Sequence, residues 1–228
     1  MKGCKFFMAA LTLLALSKPS LADENLIAID VLIEPDDKML EESAAWNARM
    51  REQTPEGFEL DETHRPHVTL LQRHIAESNL DAVLAAIDNV RQNFDLENLQ
   101  MTAVGLYHIP TGDNGLAGIT IEPTYELLAL QKAVVDLVNP YDKGEADESA
   151  YVPDPTGTAF DPLLFEYVAT FVPGQTAEKF NPHVTIGLAP KIWLEEIEAE
   201  PFDSFQFGAQ GIAVYQLGNF GTAAKRLD

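Results

Sequence analysis

The stretch Pro66-His67-Val68-Thr69-Leu70 returns almost unchanged as Pro182-His183-Val184-Thr185-Ile186, and its two histidines are 116 positions apart (183 − 67). The chain of 228 residues has only five histidines, so two of them at equivalent places of one repeat form a notable pattern. The proline biases the residue before it towards extended backbone, and the β-branched and aliphatic residues after it favour a strand. We therefore predict that each copy is a β-strand.

The side chains of such a strand alternate between its two faces. His67 and Thr69 would point to one face, with Val68 and Leu70 pointing to a core, and the second copy would do the same with His183 and Thr185. If an approximate two-fold axis relates the two halves, the two polar faces meet across a cleft. Facing imidazoles suit a displacement in which one removes a proton from the attacking oxygen and the other protonates the leaving oxygen.

Two simpler interpretations compete with this one. A His-x-Thr pair on a strand is more often an ordinary surface or core pair than a catalytic one. A zinc site built from His64, His67 and His183 is the other, since histidine is the commonest metal ligand. Pro66 prevents a helix from aligning His64 with His67, and no carboxylate recurs in both copies. Neither a metal nor another cofactor is therefore predicted.

The first 22 residues resemble a secretory signal peptide. Lys2 and Lys5 precede an apolar run over residues 6–16, and Ser20-Leu21-Ala22 places small residues where a signal peptidase cuts. The run is shorter than the roughly 20 residues of a membrane span. We expect a mature chain from Asp23 that is secreted or periplasmic, without a membrane anchor. The only cysteine lies in the segment to be removed, so no disulfide is expected.

The mature chain is predicted to be strongly acidic. Without the three lysines of residues 1–22, the 15 basic residues fall to 12 against 36 acidic ones, a net charge of −24. Such a charge repels polyanions, which argues against long nucleic acid as a partner. The length of residues 23–228 suits one domain of two closely packed lobes. We expect this domain to be a monomer.

Hydrophobic periodicity predicts the same order of elements in both halves: strand, helix, histidine strand, helix, strand. In the first half these are a strand over 25–33, a helix over 36–53, a helix capped by Ser78 and strands over 100–109 and 116–121. In the second half they are a helix over 124–138, a strand over 163–172, a short helix over 192–198 and a strand over 212–217, with an irregular acidic stretch over 139–161. This order predicts an α+β protein in two lobes.

Two His-x-Thr motifs, each on a strand of a repeated lobe, resemble the two-histidine (2H) phosphoesterase superfamily over residues 24–227. That superfamily includes cyclic nucleotide phosphodiesterases and bacterial RNA 2′,5′-ligase-like proteins. The resemblance implies a bilobal, pseudo-two-fold α+β fold, with antiparallel sheets flanked by helices around a central cleft. It places the catalytic tetrad on His67, Thr69, His183 and Thr185. The implied chemistry is opening of a 2′,3′-cyclic phosphodiester without a metal, with the threonines donating to phosphoryl oxygens.

Substrate contacts are less sharply indicated. Tyr107 ends a predicted strand where an aromatic ring can stack on a base, although an ordinary edge aromatic fits the position too. Arg73 shares the face of His67 and Thr69 only if no bulge interrupts the strand. RNA-ligase-like members often carry an arginine shortly after the second motif, but here no basic residue occurs before Lys191. A small, singly charged cyclic phosphate or nucleotide is therefore favoured over a polymer.

Three functions remain at this stage. A cyclic phosphodiesterase is favoured by the complete tetrad. An RNA-end-processing or ligase-like enzyme of the same superfamily is disfavoured by the acidic charge and the missing arginine. A non-catalytic nucleotide- or phosphate-binding protein would have no use for two opposed imidazoles.

Overall fold

The computed structural model describes residues 24–154 and 157–228, so the predicted signal peptide of residues 1–22 lies outside the described part. Seven strands and six α-helices occur in the described residues. In chain order they are β1 (Leu26–Pro35), α1 (Asp37–Gln53), β2 (Val68–Ala76), α2 (Leu80–Asn93), β3 (Gln100–Thr111), β4 (Asn114–Ile121), α3 (Tyr125–Val138), α4 (Pro162–Ala169), α5 (Phe171–Gln175), β5 (His183–Pro190), α6 (Lys191–Glu198), β6 (Phe205–Leu217) and β7 (Ala223–Arg226). None of the helices in these ranges is long and apolar enough to cross a bilayer.

The strands form one antiparallel sheet in the order β2-β1-β6-β3-β4-β5, with β7 added beside β6. Exchanging β1 with β4, β2 with β5 and β3 with β6 reproduces this order read backwards. The predicted α+β fold with an internal pseudo-two-fold relation is therefore confirmed. Strand β6 links the two halves, because residues 209–216 pair with β1 and residues 205–208 pair with β3.

Side-chain caps explain why the two long predicted helices begin where they do. The Asp36 carboxylate accepts a hydrogen bond from the Met39 amide at 3.2 Å, at the start of α1. The Thr124 hydroxyl accepts one from the Leu127 amide at 3.2 Å, at the start of α3. Each cap satisfies an amide that has no partner within its helix. The predictions of helices over 36–53 and 124–138 are confirmed.

The predicted strand over residues 163–172 is wrong, because these residues lie in α4 and α5. The Asp161 carboxylate caps α4 by accepting from the Leu163 amide at 2.9 Å, and Pro162 occupies the first turn, where a missing amide costs nothing. An apolar run of this length cannot be assigned to strand or helix by periodicity alone. The cap and the proline decide in favour of the helix.

One apolar cluster joins both halves of the chain. The apolar faces of the two histidine strands, represented by Val68 and Val184, belong to the same buried cluster as Met39 of α1 and Leu127 of α3. Helix α1 of the first half packs on β5 of the second, and α3 of the second half packs on β2 of the first. Each histidine strand is thus covered from its apolar side by the helix of the other half.

Candidate active site

A cavity of about 390 Å³ lies on the face of the histidine strands opposite to the core. All four residues of the predicted tetrad, His67, Thr69, His183 and Thr185, line it. The other polar side chains of its lining are Gln72, Thr111, Asp161, Tyr167, Gln175, Asn181 and Asn219. No lysine or arginine is among the described residues of this lining. The structure therefore brings the tetrad together in a cleft whose polar groups are neutral or acidic, apart from the histidines.

A β-bulge follows the His-x-Thr motif of β2. Thr69 pairs with Leu32 and Leu71 pairs with Val31, so Leu70 is an extra residue on β2. A bulge re-aims the side chains that follow it. The alternation expected for an uninterrupted strand therefore ends at Leu70.

The bulge corrects the predicted placement of Arg73 beside the substrate. Gln72 takes the cleft position, and Arg73 is 2% exposed and points elsewhere. Its guanidinium donates to the Asn139 side-chain oxygen at 2.9 and 3.1 Å and to the carbonyls of Val168 and Ala169, both at 3.3 Å. Arg73 therefore ties β2 to α4 and to the loop after α3.

A matching bulge follows the motif of β5. Thr185 pairs with Gly118 and Gly187 pairs with Ala117, which makes Ile186 the extra residue. Gly187 has φ +145°, where a side chain would be strained and would also meet α1. The two bulges lie at equivalent places of the repeat, directly after the two threonines.

Two buried amides hold the bulges in place. The Asn47 side chain of α1 donates to the Ile186 carbonyl at 2.8 Å, and the Gln131 side chain of α3 donates to the Leu70 carbonyl at 3.3 Å. Both amide side chains are buried. Because a bulge frees a carbonyl from the sheet ladder, a buried bulge needs such a donor. Each donor belongs to the half of the chain opposite to the bulge that it holds.

The two imidazoles are anchored in the same way. His67 Nδ1 lies 2.6 Å from the Arg65 carbonyl, and His183 Nδ1 lies 2.8 Å from the Asn181 carbonyl. A carbonyl oxygen only accepts, so each Nδ1 carries a hydrogen. Nε2 of each ring is then the atom that takes up or gives a proton in the cleft.

A buried carboxylate that the motif does not predict contacts residues of the cleft lining. Asp30 of β1 is fully buried, and its Oδ2 accepts from the Thr69 hydroxyl at 2.9 Å and from the Gln72 amide at 3.0 Å. The same oxygen lies 3.4 Å from Nε2 of His67. Its other oxygen, Oδ1, has no hydrogen-bond partner among the described residues. Asp30 therefore contacts three cleft residues, Thr69 and Gln72 of β2 and His67 directly before it.

The second half has no counterpart of this carboxylate. Leu32 and Gly118 are equivalent, because each pairs with the threonine of its half. Two positions earlier on the same strands, Asp30 corresponds to Leu116, which lines the cavity. The two halves are thus related by their backbone but differ in charge next to the cleft, where one has Asp30 and the other has Leu116.

The two histidines respond to this asymmetry with opposite pKa shifts. Burial acts to lower the pKa of His67, but the hydrogen bond and the negative charge of Asp30 outweigh it and raise the pKa above its ordinary value. Burial lowers the pKa of His183, and the nearby charge of His67 lowers it further. The opposite shifts thus favour His67 over His183 as the ring that carries a proton.

Tyr107 lies beside a histidine rather than in the lining of the cavity. Its ring meets the His183 ring edge-on, with 4.9 Å between ring centroids and 66° between planes. Burial raises the pKa of its hydroxyl well above the ordinary value. Tyr107 therefore packs against His183, and a direct contact with substrate stays a prediction.

Several cleft residues were missed by sequence reasoning. Asp30 carried a usable signal, since it is an acidic residue inside the otherwise apolar run Leu26–Ile33. Gln72 was concealed by the bulge, and Tyr167 by the wrong assignment of α4 to a strand. Asn219 lies in a turn before β7 that has no recognisable motif.

The alternative zinc site is not formed. The His64 ring stacks on Phe58 with 5.0 Å between centroids, and its Nδ1 lies 3.1 Å from the Asp61 carboxylate. Across residues 24–154 and 157–228, no group of three or more histidine, cysteine or acidic side chains is placed to hold a metal ion. The two cleft histidines therefore have no third protein ligand in the described part of the chain.

Comparison of the sequence with models of known protein families shows the family of this chain. The model of the 2′-5′ RNA ligase superfamily matches residues 40–215, which include both His-x-Thr motifs and more than half of the chain. This protein belongs to the 2′-5′ RNA ligase superfamily. The resemblance to 2H phosphoesterases is thereby confirmed, and the superfamily is one of enzymes, both phosphoesterases and ligases.

One solved structure has a similar fold. The protein TT0787 of Thermus thermophilus superimposes with a TM-score of 0.51 at 17% identity, over 89% of this chain and 96% of that one. Usb1 of Kluyveromyces marxianus matches with a TM-score of 0.42 at 12% identity, over 90% of this chain and 97% of that one. The structure of the same Usb1 with uridine monophosphate matches with a TM-score of 0.36 at 12% identity, over 85% of this chain and 99% of that one. No curated protein sequence matches this chain.

Proposed function

We propose that this member of the 2′-5′ RNA ligase superfamily hydrolyses 2′,3′-cyclic phosphodiesters of nucleotides or similar small molecules by metal-independent histidine acid–base catalysis. The carrying observation is that His67 and His183 line one cavity with Nδ1 anchored and Nε2 left to exchange a proton. Acid and base on opposite sides of one phosphorus are what an in-line displacement needs.

The reaction requires one proton to be removed and one to be given. One histidine takes a proton from water as the water oxygen bonds to phosphorus. The bond from phosphorus to one ribose oxygen breaks, and that oxygen takes its proton from the other histidine. The product is a phosphomonoester beside a free hydroxyl. The Thr185 hydroxyl and the Asn219 amide line the same cavity and can donate to the phosphoryl oxygens.

The cavity supports a small, weakly charged substrate. Its volume of about 390 Å³ is near the lower end of ordinary small-molecule sites. Leu116, Leu163, Phe171 and Phe220 give it apolar walls, and the described residues of its lining contribute no lysine or arginine. A cyclic phosphate bears one negative charge, which neutral donors and one protonated histidine can accommodate.

RNA-end processing or 2′,5′-ligation is the second candidate, and the superfamily match is the observation in its favour. Its substrate would bring many phosphates to a chain with 36 acidic and 15 basic residues. A non-catalytic nucleotide-binding role is the third. This third role has no use for the two anchored imidazoles, whereas RNA-end chemistry would use them and is disfavoured by the acidic charge.

The first test is activity of residues 23–228 on the four nucleoside 2′,3′-cyclic phosphates with a chelator present. His67→Ala and His183→Ala should each lower kcat/KM by roughly 10²–10⁴-fold, because each removes one proton-transfer partner. The double variant should be little worse than the weaker single one, since the two residues act as a unit. Full activity in either single variant, or loss with chelator that zinc restores, would contradict the mechanism.

Export is part of the proposal. The basic start, the short apolar run and Ser20-Leu21-Ala22 support a secreted or periplasmic protein that begins near Asp23. N-terminal sequencing of the protein from its native host decides the point. A soluble cytoplasmic form that retains Met1 would rule it out.

A further inference from the structure

Asp30 contacts the catalytic residues of one half and has no equivalent in the other. A buried carboxylate is costly unless a charge or hydrogen bonds compensate it. Asp30 receives two neutral hydrogen bonds, from Thr69 and Gln72, and has the His67 ring as its cationic partner. Its remaining oxygen has no donor among the described residues. The carboxylate is therefore best compensated when His67 carries a proton.

Other titratable groups around His67 do not compete for this role. His183 of β5 and Tyr167 of α4 line the same cavity, and a second cavity on the other side of His67 is lined by Glu34, Asp61, Glu62, Arg65 and Tyr215. In the described chain, Asp30 is the carboxylate that forms an ion pair with the His67 ring. Tyr167 stays neutral, because burial and then the charge of Asp30 raise its pKa to about 12.

We propose that Asp30 is a positioning residue that keeps a proton on His67 and thereby makes His67 the general acid and His183 the general base. The inference rests on the proposed hydrolysis of a cyclic phosphodiester. Without Asp30 the two imidazoles would be nearly equivalent, because each is anchored through Nδ1 to a backbone carbonyl. The side chain at position 30 thus decides which histidine is the acid and which is the base.

The separation of 3.4 Å between Asp30 and His67 Nε2 suits an acid that must release its proton. A charge-assisted N–H···O bond of full strength is about 2.7–2.9 Å long, and it would keep the proton on the side of Asp30. At the longer distance, Asp30 stabilises the imidazolium by charge while the Nε2 proton remains available to the leaving ribose oxygen.

The proton balance follows from these assignments. His183 Nε2 accepts a proton from water, the water oxygen bonds to phosphorus, and the bond from phosphorus to the ribose oxygen breaks. The ribose oxygen receives the proton of His67 Nε2. The cycle ends with His183 protonated and His67 neutral, and exchange with solvent returns the proton to the ring beside Asp30.

The reaction rate should follow a bell-shaped pH profile, and each of its two limbs should report the titration of one histidine. Activity requires neutral His183, whose lowered pKa sets the acid limb, and protonated His67, whose raised pKa sets the alkaline limb. The productive form then predominates between the limbs. Asp30→Asn removes the charge but keeps the size and an acceptor for Thr69. It should move the alkaline limb to lower pH by roughly one to two units and leave the acid limb nearly in place.

The deciding measurements are an NMR titration of the His67 ring in the free protein and the pH profiles of kcat and KM. In Asp30→Asn, His67 should titrate at lower pH, and kcat at its optimum should fall or stay level. KM should not rise, since the variant removes a negative charge next to residues of the cleft lining. If the optimum kcat rises as the limb moves, the acid and base roles are reversed and the proposal is overturned. An unchanged His67 titration overturns it as well.

Asp161→Asn is the matched control, because it removes the carboxylate that lines the cavity by the same substitution while asparagine still caps α4. It should leave the alkaline limb in place. If Asp30→Asn does not fold, Asp30→Leu introduces the residue that the equivalent position 116 carries, and the same titration applies. A wild type that is inactive on every cyclic phosphate but whose His67 titration depends on Asp30 would refute the proposed function and leave the Asp30–His67 pairing standing.

Discussion

At the scale of single residues, the two threonines of the repeat are no longer equivalent. The Thr69 hydroxyl donates its hydrogen to Asp30 at 2.9 Å. The Thr185 hydroxyl makes no hydrogen bond within the described part of the chain. Since a hydroxyl has one hydrogen to donate, Thr185 is the threonine that is ready to bind a phosphoryl oxygen.

We expect Thr185→Val to be the more damaging of the two matched substitutions. It removes a free donor from the phosphoryl group and should lower kcat/KM about 10²–10³-fold, as for other oxyanion-hole donors. Thr69→Val removes a donor that is already engaged, so its loss should be closer to tenfold. Steady-state rates on one cyclic nucleotide measure the difference, and Thr185→Ser should restore most of the activity. Equal losses at the two positions would contradict the distinction.

The shared face of each His-x-Thr pair was predictable because its information is local. A proline, a histidine and a threonine at fixed spacing on a strand specify a face without knowledge of the neighbouring strands. Asp30 was not predictable as a partner, because its contact with His67 depends on the register between β1 and β2. Arg73 was misplaced for a related reason, since Leu70 has the composition of an ordinary strand residue and nothing local shows that it is the extra one.

At the scale of elements, the bulges of β2 and β5 depend on amides from the opposite halves. Asn47 is the more heavily engaged, because it donates to the carbonyls of Ile186 and Phe58 and accepts from the Leu60 amide. Its side chain therefore couples α1, the loop after α1 and the strand that carries His183. The aim of His183 and Thr185 depends on this helix as much as on their own strand.

Asn47→Ala should lower the free energy of unfolding by about 2–4 kcal/mol, since it leaves buried polar backbone groups without partners. Urea denaturation measures the change, and kcat should fall as well because the β5 bulge loses its donor. The control is Asn93→Ala, whose exposed amide donates to the Asn89 carbonyl of its own helix and makes no other hydrogen bond in the described ranges. That variant should stay within about 0.5 kcal/mol of the wild type. A small effect at Asn47 would show that the bulge keeps its shape unaided.

Helix α4 shows what limits prediction at this scale. The residues from Leu163 to Val172 are mostly apolar, and such a run fits a strand or a buried helix equally well. The Asp161–Pro162 pair before it is a start signal for a helix, and weighing it would have given the observed assignment. The order of the other strands and helices up to β6 was predicted correctly, because each has clear periodicity or a cap, whereas the short strand β7 was not predicted.

At the scale of the whole molecule, charge should select substrate length. The chain carries 36 acidic against 15 basic residues. An oligoribonucleotide that ends in a 2′,3′-cyclic phosphate should therefore have a higher KM than the mononucleotide at low salt. Added salt should narrow the gap, because the Debye length is only about 10 Å at 0.1 M and surface repulsion is screened. Oligonucleotide affinity that falls with salt, as in phosphate-binding proteins, would contradict this expectation.

The exchange of helices between the halves bears on the ancestry of the protein. A fragment ending in the Gly112–Asp113 turn would keep the His67 strand but lack α3, which covers it, and the remaining fragment would keep the His183 strand without α1. A primitive single-repeat chain of this design would have had to pair with a second copy, each lending its helix to the other. Fusion of the two genes would then have allowed the two copies to diverge. Asp30 and its equivalent Leu116 differ in this way, and two identical subunits could not carry different residues at one position.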